Sequence, residues 1–140
     1  IEAARVATGR EVWVMAPMIS TLQEATEFSL LARSKGSLKV GIMVETPAII
    51  SAIKHLVGIV HFVSVETNDL SQNLFAADRM NFQFGSLIKH WQPALISALG
   101  DIARLSADAK IHSGVCGESA SDPSFAIDGT ASVPQIPAIR

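Results

Sequence analysis

Between Val60 and Arg79 the chain reads VHFVSVETNDLSQNLFAADR, an apolar, β-branched run that stops at four polar residues, Glu66-Thr67-Asn68-Asp69. Such a run predicts a buried strand, and polar residues crowded at the carboxyl end of a buried strand are where α/β proteins build active sites. Three other places repeat the pattern. One apolar run ends in Ala16-Pro17-Met18, a second in Glu45-Thr46-Pro47, and a third in Cys116-Gly117-Glu118. In a parallel sheet or barrel these ends all lie on one rim.

Each residue has a functional and a plain reading. Glu45 and Asp69, from neighbouring strand ends, could share one hard cation. Mg²⁺ suits such a pair because it prefers a few carboxylates and completes its shell with water and substrate oxygens. Either acid alone is equally explained as a charge stabilising the N-terminus of the next helix. Cys116 could be a reactive thiol or an inert core residue. Arg79 could pair with Asp78 on the surface, or reach the rim and grip an anion bidentately. The histidines at 55, 61, 90 and 112 show no ligand spacing, and Trp13 and Trp91 read as core anchors.

The elements that must position these groups are set by hydrophobic period and punctuation. Strands are expected at 11–15, 39–44, 60–65 and 111–115. Helices are expected at 21–33, with Ser20 as N-cap and Gln23 three residues on, at 48–56 behind Pro47, from Leu70 to Ala77, and at 92–109. Residues 1–10 read as a helix end stopped by Gly9, and a short helix is expected at 123–127. Strands alternating with helices predict an α/β fold of about four parallel βα units with right-handed crossovers. Residues 128–140 read as an irregular tail.

Composition agrees. The 140 residues are 49% hydrophobic and 17% charged, which suits a parallel sheet covered by helices. The net charge of −2 includes no basic run or basic helix face, so no nucleic acid and no anionic membrane is expected as a partner. No apolar stretch approaches the roughly 20 residues that span a bilayer. The lone Cys116 cannot form an internal disulfide and no secretory signal opens the chain, so a cytoplasmic location is expected. The chain starts at Ile1 rather than Met, and is read as a fragment or processed product.

Taken together, Val44-Glu45-Thr46-Pro47, Thr67-Asn68-Asp69-Leu70 with Gln72, Asp78-Arg79 and Gly114-Val115-Cys116-Gly117-Glu118 resemble the C-terminal, phosphoenolpyruvate (PEP)-binding domain of the PEP-utilising enzymes. Val14-Met15-Ala16-Pro17-Met18 fits the same pattern. Within that family the closest likeness is to the enzyme I branch, the phosphoenolpyruvate-protein phosphotransferases of the bacterial sugar phosphotransferase system. The resemblance implies that residues 1–140 are a single, partial section of a (β/α)8 TIM barrel, which needs about 250 residues when whole. It implies that Glu45 and Asp69 hold Mg²⁺, that Asn68, Asp69 and Arg79 contact PEP, and that Cys116 is the acid/base at C3 of the enolate. The phosphoryl group would pass to a phosphohistidine domain of the same enzyme, and through it to a histidine-containing phosphocarrier protein. The sequence departs from the family at Glu66, where the family has Gly, and at Asn73, which replaces a usual Tyr.

Two other readings stand beside this one. A half-barrel exposes two sheet edges and an apolar inner face, which favours pairing with a second copy. A homodimer is therefore expected, and the chain could be a non-catalytic, self-associating piece. Alternatively it could be a Mg²⁺-dependent pyruvate aldolase or lyase, against which the Cys-Gly-Glu motif argues.

Overall fold

The computed structural model describes residues 3, 6, 7, 11–36 and 39–125. The expected helix end before Gly9, the end of the 123–127 helix and the 128–140 tail fall wholly or partly outside them. Four strands, β1 (Trp13–Ala16), β2 (Lys39–Val44), β3 (Phe62–Glu66) and β4 (His112–Cys116), pair in the order β1-β2-β3-β4. Every pairing is parallel. Helices α1 (Leu22–Ser34), α2 (Pro47–Ile50), α3 (Thr67–Phe75) and α4 (Pro93–Asp108) lie between them. This is the predicted alternation of about four parallel βα units.

Alternation along each strand divides the sheet into two faces. Ile42, Val44, Val63 and Val65 form one face and are fully or almost fully buried against Ala25 of α1, Ile49 of α2, Leu70 of α3, and Leu95 and Ile102 of α4. Each such aliphatic side chain contributes about 1.5–3 kcal/mol on burial. The opposite face carries Trp13, Met15, Gly41, Phe62, Ser64, Glu66 and Cys116. No helix among the described residues is long and apolar enough to cross a membrane.

Several local expectations need correction. The cap of α1 is Thr21 rather than Ser20, and its partner is Glu24 rather than Gln23. Thr21 Oγ1 accepts the Glu24 N–H at 3.2 Å while Glu24 returns to the Thr21 N–H at 2.9 Å, completing a capping box. The helix expected over 48–56 ends after one turn at Ile50, and a separate 3-10 turn comes next at Ile53–His55. Helix α3 starts at Thr67, directly from the strand, because Glu66 itself serves as N-cap.

The tryptophans are not core anchors. Trp13 is 51% exposed and Trp91 is 42% exposed. Trp13 stands on the sheet face away from the helices, with its ring 5.2 Å from that of Phe62. Trp91 precedes α4 and meets Phe125 edge-on at 5.4 Å.

Gly41 is required by that inner face. A β-carbon there would lie 2.5 Å from two ring carbons of Phe62, whose side chain is buried. Gly41→Ala is therefore expected to destabilise the fold by about 1–3 kcal/mol, read as a lowered urea midpoint. Adding Phe62→Leu should recover part of the loss.

Candidate active site

Parallel register brings the strand ends level. Val44 pairs with Val65, and Glu66 pairs with Cys116. Residues 66 and 116 therefore share the last rung of β3 and β4, and Glu45 directly follows the last paired residue of β2, at the same carboxyl rim. The loops above β1 and β2 are tied together, since Ser20 Oγ donates to Thr46 Oγ1 at 3.1 Å and Thr46 donates to the Ile19 carbonyl at 2.9 Å.

Glu45 is 4% exposed. Its carboxylate accepts the Met18 N–H, and its carbonyl accepts from Asn73 Nδ2 at 2.8 Å. Glu45 thus joins the end of β1 to the end of β2, and Asn73 adds α3. Met18 holds a left-handed backbone, φ 56°. For a non-glycine residue this conformation is uncommon and is kept only where neighbours enforce it.

Asp69 lies in the first turn of α3. Its N–H donates to Glu66 Oε2 at 2.7 Å, and its Oδ1 is 3.5 Å from Arg79 Nη1. Arg79 returns to this position because α3 is stopped sharply. Ala76 adopts φ 49° at the C-cap, the Ala77 N–H bonds the Gln72 carbonyl at 3.1 Å, and the Gln72 side chain accepts the Arg79 N–H at 3.1 Å. Arg79 therefore pairs with Asp69, not with the adjacent Asp78 that the sequence offered.

Cys116 ends β4. Ser64 Oγ donates to its sulfur at 3.3 Å, and the thiol donates to the Val65 carbonyl at 3.3 Å. Burial pushes the thiol above its ordinary range, the Ser64 hydrogen bond opposes this, and the charges of Glu66 and Glu45 add to it. A thiol so placed keeps its proton at neutral pH. It suits proton donation better than nucleophilic attack.

Glu66 sits between these groups: it pairs with Cys116 on the sheet and accepts the Asp69 N–H. Burial is the largest influence on its carboxyl and raises it. The Asp69 charge raises it further, while the Asp69 and Asn68 N–H groups and Arg79 oppose the rise.

Asn68 and Arg79 line a cleft of about 580 Å³ with Thr67, Lys89, His90, Glu118 and Ser119. Glu45, Asp69 and Cys116 lie at the rim itself and do not line this cleft. His90 Nε2 is 3.0 Å from Asp122 Oδ2. Lys89 and His90 carry no signal in the sequence, because they sit in an irregular stretch and His90 meets its partner 32 residues away. Ser64 does carry one: it is the one hydroxyl in an apolar strand, two residues before Glu66, and so on the same face.

The donor set bears on which ion could bind. Among the described residues no group of three or more His, Cys, Asp and Glu is gathered to hold a metal. Two carboxylates suit an ion that takes its remaining ligands from water and substrate oxygens, which is the habit of Mg²⁺, and do not suit a closed zinc site.

A family described as "PEP-utilising enzyme, PEP-binding domain" matches residues 2–127. The chain belongs to this family. The four-stranded parallel sheet with its helices is accordingly a section of a PEP-utiliser barrel. Among curated relatives, the phosphoenolpyruvate-protein phosphotransferase of Streptomyces coelicolor is 40% identical over 130 residues, covering 88% of this chain and 23% of that protein. A phosphoenolpyruvate-dependent phosphotransferase system protein of Escherichia coli is 35% identical, over 86% of this chain and 18% of its own length. The phosphoenolpyruvate synthase of Pyrococcus furiosus is 31% identical, over 82% and 15%. This PEP-binding domain thus spans between 15% and 23% of the length of these relatives.

The environment of the thiol is testable. Alkylation of Cys116 should accelerate only above the ordinary thiol pKa of about 8.5. Glu66→Gln should move the inflection of the pH–rate profile downward, because it removes one of the two carboxylates that oppose the thiolate.

Proposed function

We propose that this domain binds phosphoenolpyruvate at the carboxyl rim of its sheet and supports Mg²⁺-dependent transfer of the phosphoryl group to a histidine on another domain, with pyruvate as product. The observation that supports this reading is that Glu45 and Cys116 stand at the carboxyl ends of parallel strands flanking β3, while Asn68 and Asp69 open the helix that leaves β3 and Arg79 turns back to pair with Asp69. The reading is also supported by relatives named as phosphoenolpyruvate-protein phosphotransferases.

Arg79 grips phosphoryl oxygens with its planar donors, and Asp69 sets the position of that guanidinium before substrate arrives. Asn68, at the first turn of α3, faces the cleft and contacts the phosphoryl group. Glu45 and Asp69 would hold Mg²⁺, which when bound offsets the charge that develops as phosphorus leaves the enol oxygen. The bond between phosphorus and the enol oxygen breaks, and a bond from phosphorus to the acceptor histidine forms. The enolate then takes a proton at C3 from Cys116, whose thiol the surroundings keep protonated. From the acceptor histidine the group passes to a histidine-containing phosphocarrier protein, in the cytoplasm.

A second reading, self-association, has one observation in its favour. Trp13 and Met15 are 51% and 37% exposed on the sheet face opposite the one that packs against α1–α4. The two readings are compatible, because a partner copy could cover that face and leave the rim open.

Calorimetric titration of PEP into the folded chain should show weak, Mg²⁺-dependent binding at millimolar substrate. Asp69→Ala should abolish the Mg²⁺ dependence. Arg79→Ala should weaken binding by about tenfold or more, the scale of a lost charge-assisted contact. Binding unaffected by both substitutions would remove Asp69 and Arg79 from the roles assigned to them.

A further inference from the structure

We propose that the Glu66 carboxylate is a built-in competitor of the substrate's phosphoryl group, so that Glu66 sets the affinity of the site. The inference rests on the reading of Asn68, Asp69 and Arg79 as the PEP-binding groups.

Three observations carry it. First, Glu66 Oε2 accepts the Asp69 N–H at 2.7 Å and the Asn68 N–H is turned toward the same carboxylate. The donors at the start of α3 therefore already hold an anion, in the place where a helix start would hold a phosphate. Secondly, the carboxylate is set inward rather than swung into solvent. A β-carbon on Gly117 would collide with its Oε1, and Gly117 has φ +90°. Glycine at 117 thus provides both the space and the backbone geometry that let Glu66 lie across the strand ends. Thirdly, Arg79 is shared. Its charge acts on Glu66 while its guanidinium is paired with Asp69. Two carboxylates against one guanidinium leave one negative charge beside the position that a phosphoryl group must enter, and an incoming anion meets repulsion as well as competition for donors.

The backbone keeps the side chain there. Glu66 pairs with Cys116 on the last rung of the sheet, so strand alternation points it to the inner face with Ser64. The same residue caps α3, so its stabilising role and its obstructing role come from one contact.

The test is PEP affinity, with Mg²⁺ present, for the wild-type chain, Glu66→Gln and Glu66→Gly, each with and without Arg79→Ala. Gln keeps the size and the capping oxygen but removes the charge. Glu66→Gln is expected to tighten PEP binding by about tenfold, the scale of one like charge removed from contact with an anion. Glu66→Gly should tighten it at least as much, although its helix is less well capped, and Arg79→Ala should erase either gain. A plain capping role cannot raise affinity. If Gln and Gly bind no tighter than wild type while Arg79→Ala still weakens them, the proposal is overturned and the PEP reading survives. If no variant binds PEP while circular dichroism shows all of them folded, the PEP reading fails and this inference fails with it.

Discussion

Parallel pairing decides where every polar group of this protein can go. In a parallel sheet the strands point one way, so the residue after each strand emerges at the same edge. The ladder from Gly41–Phe62 to Val44–Val65, and on to Glu66–Cys116, fixes three adjacent strands to one level. The buried aliphatics Ile42, Val44, Val63 and Val65 lock that register, because a slip of one residue would turn them out of the core. The site is a consequence of this core. Glu45 and Cys116 reach one edge from distant parts of the sequence, and no local interaction brings them together.

At the rim, charge is concentrated in a half-buried setting. Glu66 and Asp69 share the charge of Arg79, while Glu45 lies buried at the end of the neighbouring strand. Backbone donors make up part of the deficit: Met18 for Glu45, and Asn68 and Asp69 for Glu66. These bonds hold the carboxylates in fixed positions, and they explain why Met18 keeps a left-handed backbone. A rim organised around anions and amide donors is suited to a cation and a phosphorylated substrate together, and poorly suited to either a neutral apolar ligand or a thiolate nucleophile.

The βα alternation was legible because each strand is a short β-branched run and each helix has its own punctuation. The rim residues were legible for the same reason, since they stand directly after those runs. Features set by distant partners were not. Glu66 read as the first residue past a strand, yet it pairs with Cys116 and belongs to β3. Ser20 and Thr21 are both capable caps, and Glu24, three residues beyond Thr21, decides between them. Trp13 read as core because tryptophan usually is, but its exposure depends on which sheet face the helices cover. The pairing of Arg79 with Asp69 rather than Asp78 required knowing that Ala76 turns the chain back.

The proposal that the carboxyl rim acts as one composite site is tested most directly by amide chemical-shift mapping during addition of PEP and Mg²⁺. Shifts are predicted to cluster at Met18, Glu45, Asn68, Asp69, Arg79, Cys116 and Gly117, which are dispersed in sequence and adjacent only at the rim. Shifts confined to the helix-covered side, around Ile49 and Ile102, or scattered without a focus, would contradict a composite site.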